Sequence, residues 1–254
     1  MSAVLASPAV RGSSPLDKVR ALQHALYRTA RADPGRRFHA LMDKVFRRDV
    51  LARAWFEVRR NNGAPGIDRA ALADVEASGV SRLLGELAAE LEEGRYRPLP
   101  ARRVMIPKPG SAELRPLSIP SVRDRVVQAA CKIVLEPVFE ADFLPCGFGF
   151  RPRRPARDAL QVIIDEAWRG RRRVVETDIA SCFSAIPHDE LMRAAGERVC
   201  DQSVRKLPRA ILRAGVMADG QVRREVTGTP QGGLCVATHK PPYAQCWIMR
   251  SAAP

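Results

Sequence analysis

The sequence predicts an α+β fold, and three observations carry that expectation. Apolar residues recur at helical spacing through most of the first 60 residues and again between 155 and 214. Two short β-forming segments flank the turn Lys108-Pro109-Gly110-Ser111, and a compact apolar run over 173–179 contains a carboxylate near its end. Helices and short strands thus occur in separate runs, not in regular βαβ alternation. A length of 254 residues with 46% hydrophobic side chains is ample for a buried core.

In chain order, residues 14–60 read as two or three basic helices. Val19, Leu22 and Leu26, then Phe46, Leu51, Trp55 and Phe56, supply their apolar positions. The cluster Asn61-Asn62-Gly63-Ala64-Pro65-Gly66 ends the helix and permits close backbone approach. Residues 80–93 predict an amphipathic helix closed by Gly94. Segments 103–107 and 114–120 predict a β-hairpin with a basic, glycine-containing tip. Ser121 is placed to cap the next helix, with Asp124 in its first turn and an apolar face of Val122, Val126, Ala129, Ala130, Ile133 and Val134. Residues 148–154 form a loop dense in guanidinium and aromatic groups, followed by a helix over 155–169. A strand over 173–179 carries Asp178, with Phe183 five residues beyond it. Helices over 188–199 and 203–214, a hairpin turning at Asp219-Gly220, and Thr229-Pro230-Gln231-Gly232-Gly233 complete the legible part.

The formal charge is +14, distributed as +8 over residues 1–64, −5 over 65–94, +9 over 95–175 and +2 over 176–254. Two concentrated positive blocks favour a polyanionic partner, nucleic acid above all. Solubility alone, or an arginine-rich proteome, would leave a similar excess, since only 6 of the 42 basic residues are lysine. No run approaches the roughly 20 apolar residues of a membrane span, and the N-terminus lacks the pattern of a signal peptide, so a cytoplasmic location is expected. The six cysteines form no CxxC pair, and the spacing of Cys235, His239 and Cys246 fits no common metal site.

A carboxylate near the end of a buried strand can hold Mg²⁺, while Lys108 and Arg115 on a hairpin can neutralise triphosphate oxygens. That is the logic of nucleotidyl transfer, in which metals bridge the attacking and leaving oxygens. A lone strand-end aspartate also serves simply to cap a turn.

The order of several motifs adds to this reading. NNGAPGID (61–68), RRVMIPKPG followed by LRPLSIPSVRDRVVQ (102–128), FGFRPRRPARDAL (148–160), VVETDIASCFSAIPH (174–188) and GTPQGG (228–233) together resemble the reverse transcriptases of bacterial group II introns. The resemblance implies a right-hand polymerase with fingers and an incomplete antiparallel palm. Residues 1–60 would be a helical N-terminal extension, 61–170 the fingers region, 171–233 a partial palm and 234–254 an aberrant tail. It implies that Asp178 is a metal-binding catalytic aspartate and that the backbone of Ile179 faces the same Mg²⁺. Phe183 would lie against the sugar, Lys108 and Arg115 would contact the incoming dNTP, and Gln231 and Gly232 would meet the nucleotide and template. Arg151, Arg153 and Arg154 would contact the RNA template, with intron RNA and primer DNA as partners. A core Phe, a solvated hairpin tip, a simple turn and a solvated basic loop are the structural alternatives for these positions.

The resemblance stops after PQGG. The family carries a second carboxylate site in a Tyr-X-Asp-Asp hairpin further on, whereas this chain has no Asp or Glu after Glu225. The codons of residues 235–239, read one nucleotide later, can spell Ala/Val-Ser-Pro-Leu, the continuation expected in the family. A frameshift near Leu234 and an inactive polymerase, retained as an RNA-binding fragment or as a pseudogene product, are the resulting expectations. An incomplete palm would also leave an exposed sheet edge and apolar face.

Overall fold

A computed structural model describes residues 15–107, 110, 112–177, 185–224 and 227–228. Among them the helices are α1 (Pro15–Ala32), α2 (Met42–Val45), α3 (Arg48–Arg60), α4 (Leu72–Ser78), α5 (Val80–Glu92), α6 (Val122–Glu140), α7 (Ala156–Trp168), α8 (His188–Arg198) and α9 (Gln202–Ala214). The strands are β1 (Ala101–Pro107), β2 (Leu114–Ile119), β3 (Val216–Ala218) and β4 (Gln221–Arg223). The α+β class expected from sequence is therefore the one observed. None of the helices is long and apolar enough to cross a membrane among the described residues.

The core is built around α6. Ser121 caps it as expected, its Oγ accepting from the Asp124 amide at 3.1 Å. Its buried residues include Val122, Val126, Val127, Ala130, Ile133, Val134 and Val138, so the helix is covered on more than the one face that periodicity suggested. Helices α1 and α3 pack against it, and Leu51, Leu87 and Leu91 close the same cluster from α3 and α5. Each such side chain contributes about 1.5–3 kcal/mol of burial free energy. Pro137 lies inside α6 and cannot donate to the carbonyl of Ile133. Gln23 of α1 supplies that bond, its side-chain amide donating to the Ile133 carbonyl at 3.2 Å, while Arg31 donates to the Ala141 carbonyl beyond the helix end.

A second joint ties the N-terminal helices to α8 and α9. Arg198, buried at the end of α8, donates to the carbonyls of Ala30, Asp33, Pro34 and Arg36 and pairs with Asp142 at 3.1 Å. Asp201 caps α9 through the amides of Ser203 and Val204, and its other oxygen accepts from Leu41 and Met42 at the start of α2. Burial pushes the Asp201 carboxyl up the pH scale, but the four backbone donors outweigh it and hold the pKa below the ordinary value.

The hairpin β1–β2 forms in antiparallel register, from Arg102 opposite Ile119 to Pro107 opposite Leu114. Asp219 and Gly220 take positive φ of 52° and 75°, the requirement of a tight two-residue hairpin turn between β3 and β4. The sheet order is β2-β1-β3-β4, with β3 parallel to β1 at Ala101–Val216 and Arg102–Met217, so the described sheet is mixed. Gly215 makes this join possible: its φ is +77°, and a side chain there would meet the Arg223 carbonyl oxygen at 2.5 Å.

One expectation needs correction. The strand over 173–179 is not formed in its described part, since residues 173–177 carry no regular structure and are exposed. Val174 and Val175 are each 80% exposed. A strand exists only through pairing, and no described segment runs beside this one to take up its amides and carbonyls.

Candidate nucleotide and RNA site

The β1–β2 hairpin carries Arg115 near the end of its ladder. Arg115 lies on β2 opposite Ile106, one pair from the end of the ladder, and is exposed. Gly110, in the connection between the two strands, has φ +74°, a conformation that favours glycine. Lys108, expected beside it, lies outside the described residues, as do Asp178, Ile179, Phe183, Gln231 and Gly232.

The turn over 61–66 is seated against this hairpin. Arg102 of β1 donates twice to the Pro65 carbonyl, at 3.1 and 2.8 Å, and Arg125 of α6 donates to the Ala64 carbonyl at 2.9 Å. Gly66 crosses so close to the start of α6 that a side chain there would lie 2.5 Å from the Ser121 Cα. The close backbone approach expected of this glycine-rich turn is thus present. Beneath it, Asp124 accepts from the Tyr96 hydroxyl at 2.5 Å, from the Ser121 hydroxyl at 2.7 Å and from the Leu99 amide at 3.1 Å. Burial raises the Asp124 pKa despite these donors, and burial together with the neighbouring carboxylate raises that of Tyr96. This buried network fixes the approach to β1.

The arginine loop divides its guanidinium groups between two tasks. Arg151 grips Glu140 with Nε and Nη2 and donates Nη1 to the carbonyls of Leu144 and Gly147 at 2.6 and 2.7 Å. It also lies over the Phe143 ring at 5.1 Å, a position that braces the loop from within. Arg154 donates to the Pro145 carbonyl and stacks over Phe148 at 5.0 Å. Arg153 is exposed, and Phe150 is 79% exposed; both have positive φ, at 60° and 56°. Phe150, absent from the sequence-based site, joins Arg153 on the outer side of the loop. Phe148, by contrast, lies under the Arg154 guanidinium.

The structure also brings together the ends of two motifs. Gly228, which opens GTPQGG, donates its amide to the Ile186 carbonyl at 2.8 Å, and its own carbonyl lies 2.6 Å from His188 Nε2. Pro187 and Thr227 form an antiparallel bridge at the same place. Residues 186–188 therefore lie beside residues 227–228. His188, overlooked as a functional residue, holds that junction. The basic helices read over residues 14–60 find a surface in the exposed side of α1, where Arg20, His24, Tyr27, Arg28 and Arg31 recur at spacings of three and four.

Among the described residues no group of three or more His, Cys, Asp or Glu side chains is gathered that could hold an ion. Asp178, the carboxylate that the motifs assign, lies outside those residues.

A family model for reverse transcriptase (RNA-dependent DNA polymerase) matches residues 106–238, just over half of the chain. The chain is 36% identical over 222 residues to Protein YkfC of Escherichia coli K12, covering 84% of this chain and 57% of that protein. It is 34% identical over 198 residues to the group II intron-encoded protein LtrA of Lactococcus lactis subsp. cremoris, covering 78% of this chain and 32% of LtrA. An uncharacterized 91 kDa protein in the cob intron of Schizosaccharomyces pombe is 33% identical over 193 residues, 76% of this chain and 23% of its own length. The chain thus matches less than two thirds of each relative. With the motif order and these matches together, the chain belongs to the reverse transcriptase family, in its group II intron-encoded maturase branch.

Proposed function

We propose that this chain descends from an RNA-directed DNA polymerase of the group II intron type and retains its RNA- and nucleotide-facing surfaces without a complete catalytic centre. The observation that carries the reading is the intact β1–β2 hairpin, with Arg115 near its tip, packed beside the glycine-rich turn and followed by the remaining motifs in family order. Reverse transcriptases work with a divalent metal and bind a nucleic acid template and primer. In this chain Lys108 and Arg115 would hold the triphosphate, Phe183 the sugar, and Gln231 with Gly232 the nascent pair, while Asp178 and the Ile179 carbonyl would face Mg²⁺. With one carboxylate where the chemistry calls for several, the geometry of in-line attack is not secured. Loss of part of a catalytic unit abolishes turnover more often than it trims it.

The second reading, a non-catalytic RNA binder, is favoured by the exposed basic stripe on α1 and by the exposed Phe150 and Arg153, none of which belongs to the carboxylate site. One experiment separates the two. The 254-residue chain is given a primed RNA template, dNTPs and Mg²⁺, with Asp178→Ala as control, and its RNA affinity is measured across a salt series. No primer extension, together with affinity that falls steeply with salt, supports the binder. Extension that Asp178→Ala eliminates would restore the polymerase reading, and salt-insensitive or absent RNA binding would sink both. The frameshift proposal is checked by sequencing the locus: a shifted downstream frame without a Tyr-X-Asp-Asp segment contradicts it.

A further inference from the structure

Helix α9 carries a row of positive charge along one side. Its apolar side, with Val204, Leu207, Ile211 and Leu212, is buried. At about 3.6 residues per turn, Gln202, Arg205, Lys206, Arg209 and Arg213 fall within about 100° of arc away from that side, and Arg205, Arg209 and Arg213 follow one another about 6 Å apart. All but the half-buried Arg205 are exposed. At the N-terminal end of the row a small hollow of about 40 Å³ is lined by Met192, Gln202, Arg205, Lys206 and Arg209. Arg205 is held in place there. Its Nη2 donates to the Met192 carbonyl at 3.3 Å, and its buried Nε finds no acceptor among the described residues. Gly196 of α8 makes room for this guanidinium, since a side chain there would lie 3.0 Å from Nη2 and 3.2 Å from Cζ.

Among the described residues no acidic side chain pairs with Arg205, Lys206, Arg209 or Arg213. The acidic neighbours in sequence are engaged elsewhere: Glu197 pairs with Arg193 at 3.9 Å, Asp219 pairs with Arg223 at 3.7 Å, and Asp201 accepts from backbone amides of two helices. Of the 28 acidic side chains in the sequence, only Asp178 and Glu225 lie outside the described residues. Like charges four residues apart destabilise a helix, so the row costs stability until an anion sits on it. We propose that the α9 row binds the phosphate backbone of a nucleic-acid strand, a site that rests on the RNA-binding reading and lies on elements other than the hairpin, the arginine loop and α1. The hollow would satisfy one anion, but the charges continue from it to Arg213, about 12 Å along the helix axis from Arg205, which suits a polyanion. A lipid surface fits less well, because α9 keeps its apolar side in the core and does not offer it for insertion. The fixed guanidinium of Arg205 is ordered before a phosphate arrives, so little freedom is lost on binding. Contacts of this kind position a strand without reading its sequence.

The test compares the nuclease-treated 254-residue chain with its variant Lys206→Gln/Arg209→Gln/Arg213→Gln, altered only at exposed positions, on an unstructured single-stranded RNA across a salt series. Affinity at low salt is expected to fall by about tenfold or more, and the slope of log affinity against log salt by about 2, the share of three phosphate contacts on a single strand. Thermal stability stays level or rises, because like charges have been removed. As a second measurement, bound RNA shields Lys206 of the parent chain from acylation, read by mass spectrometry. A parent that binds RNA while the triple variant keeps its affinity and slope overturns the site alone, whereas a parent that binds no RNA fails at the reading beneath it. A triple variant that loses stability would mean that Asp178 or Glu225 holds the row from within the chain, and anionic phospholipid vesicles that shield Lys206 as RNA does would assign it to a membrane surface. Either result overturns the proposal.

Discussion

Two helices of similar amphipathic promise meet different fates in this molecule. Helix α3 packs Leu51, Ala54 and Val58 against α6 and is buried along one side, whereas α7 offers Leu160, Ile163 and Ile164 and buries none of them. Both have 13 residues and an apolar stripe. The contrast shows that amphipathicity states a demand for a partner and not its presence. Helices α1, α3, α5 and α6 meet their demands in one core, which Val204 and Leu207 of α9 also join. The region after residue 155 looks outward for part of its own.

The sharpest way to break the well-packed side is Arg198→Ala. It removes bonds to four carbonyls around the end of α1 and breaks the ion pair of the buried Asp142 carboxylate, for an expected loss of about 3–5 kcal/mol in urea unfolding. Leu51→Ala, at a fully buried site, follows at about 3 kcal/mol.

Asp201→Ala costs about 2 kcal/mol near neutral pH, because one carboxylate serves the starts of two helices. The pH dependence has a definite sign. The folded-state pKa lies below the ordinary value of 3.8, so the carboxylate stabilises the fold above that pH and the contribution is lost as the pH falls through the folded pKa. The gap between parent and variant should therefore close on acidification, and a gap that widens would contradict the capping role. At the small end, Ile163→Ala on α7 should change the stability of the monomer by less than about 0.5 kcal/mol. A large effect there would mean that α7 is already covered.

Local chemistry made much of the fold legible. Ser121 with Asp124 announced the start of α6, Gly94 the end of α5, and Asp219-Gly220 a turn that only positive φ can make. The motif order disclosed the family, because many residues at fixed separations are a stronger signal than any one of them. Long-range polar partners were not legible. Nothing near Gln23 indicates that it satisfies the carbonyl that Pro137 leaves unpaired inside α6, and nothing near Asp201 indicates a second helix within reach. Arg151 looked like its neighbours in a basic loop, but proximity to Glu140 turned it inward. The strand over 173–179 was read from residues that favour pairing, while pairing itself depends on a second segment.

The bond from Gln23 to Ile133 also sets a timetable. These residues are 110 positions apart, and Arg198 reaches Ala30 across 168. At usual rates of protein synthesis, α1 emerges about 5–20 s before its receptor on α6 has been made. Until then its apolar side, with Val19 and Leu26, has no native partner and is open to chaperones or to neighbouring nascent chains. Slowing translation between residues 32 and 133 should therefore lower the yield of soluble protein more than slowing it after residue 198, when both anchors of α1 are already in place.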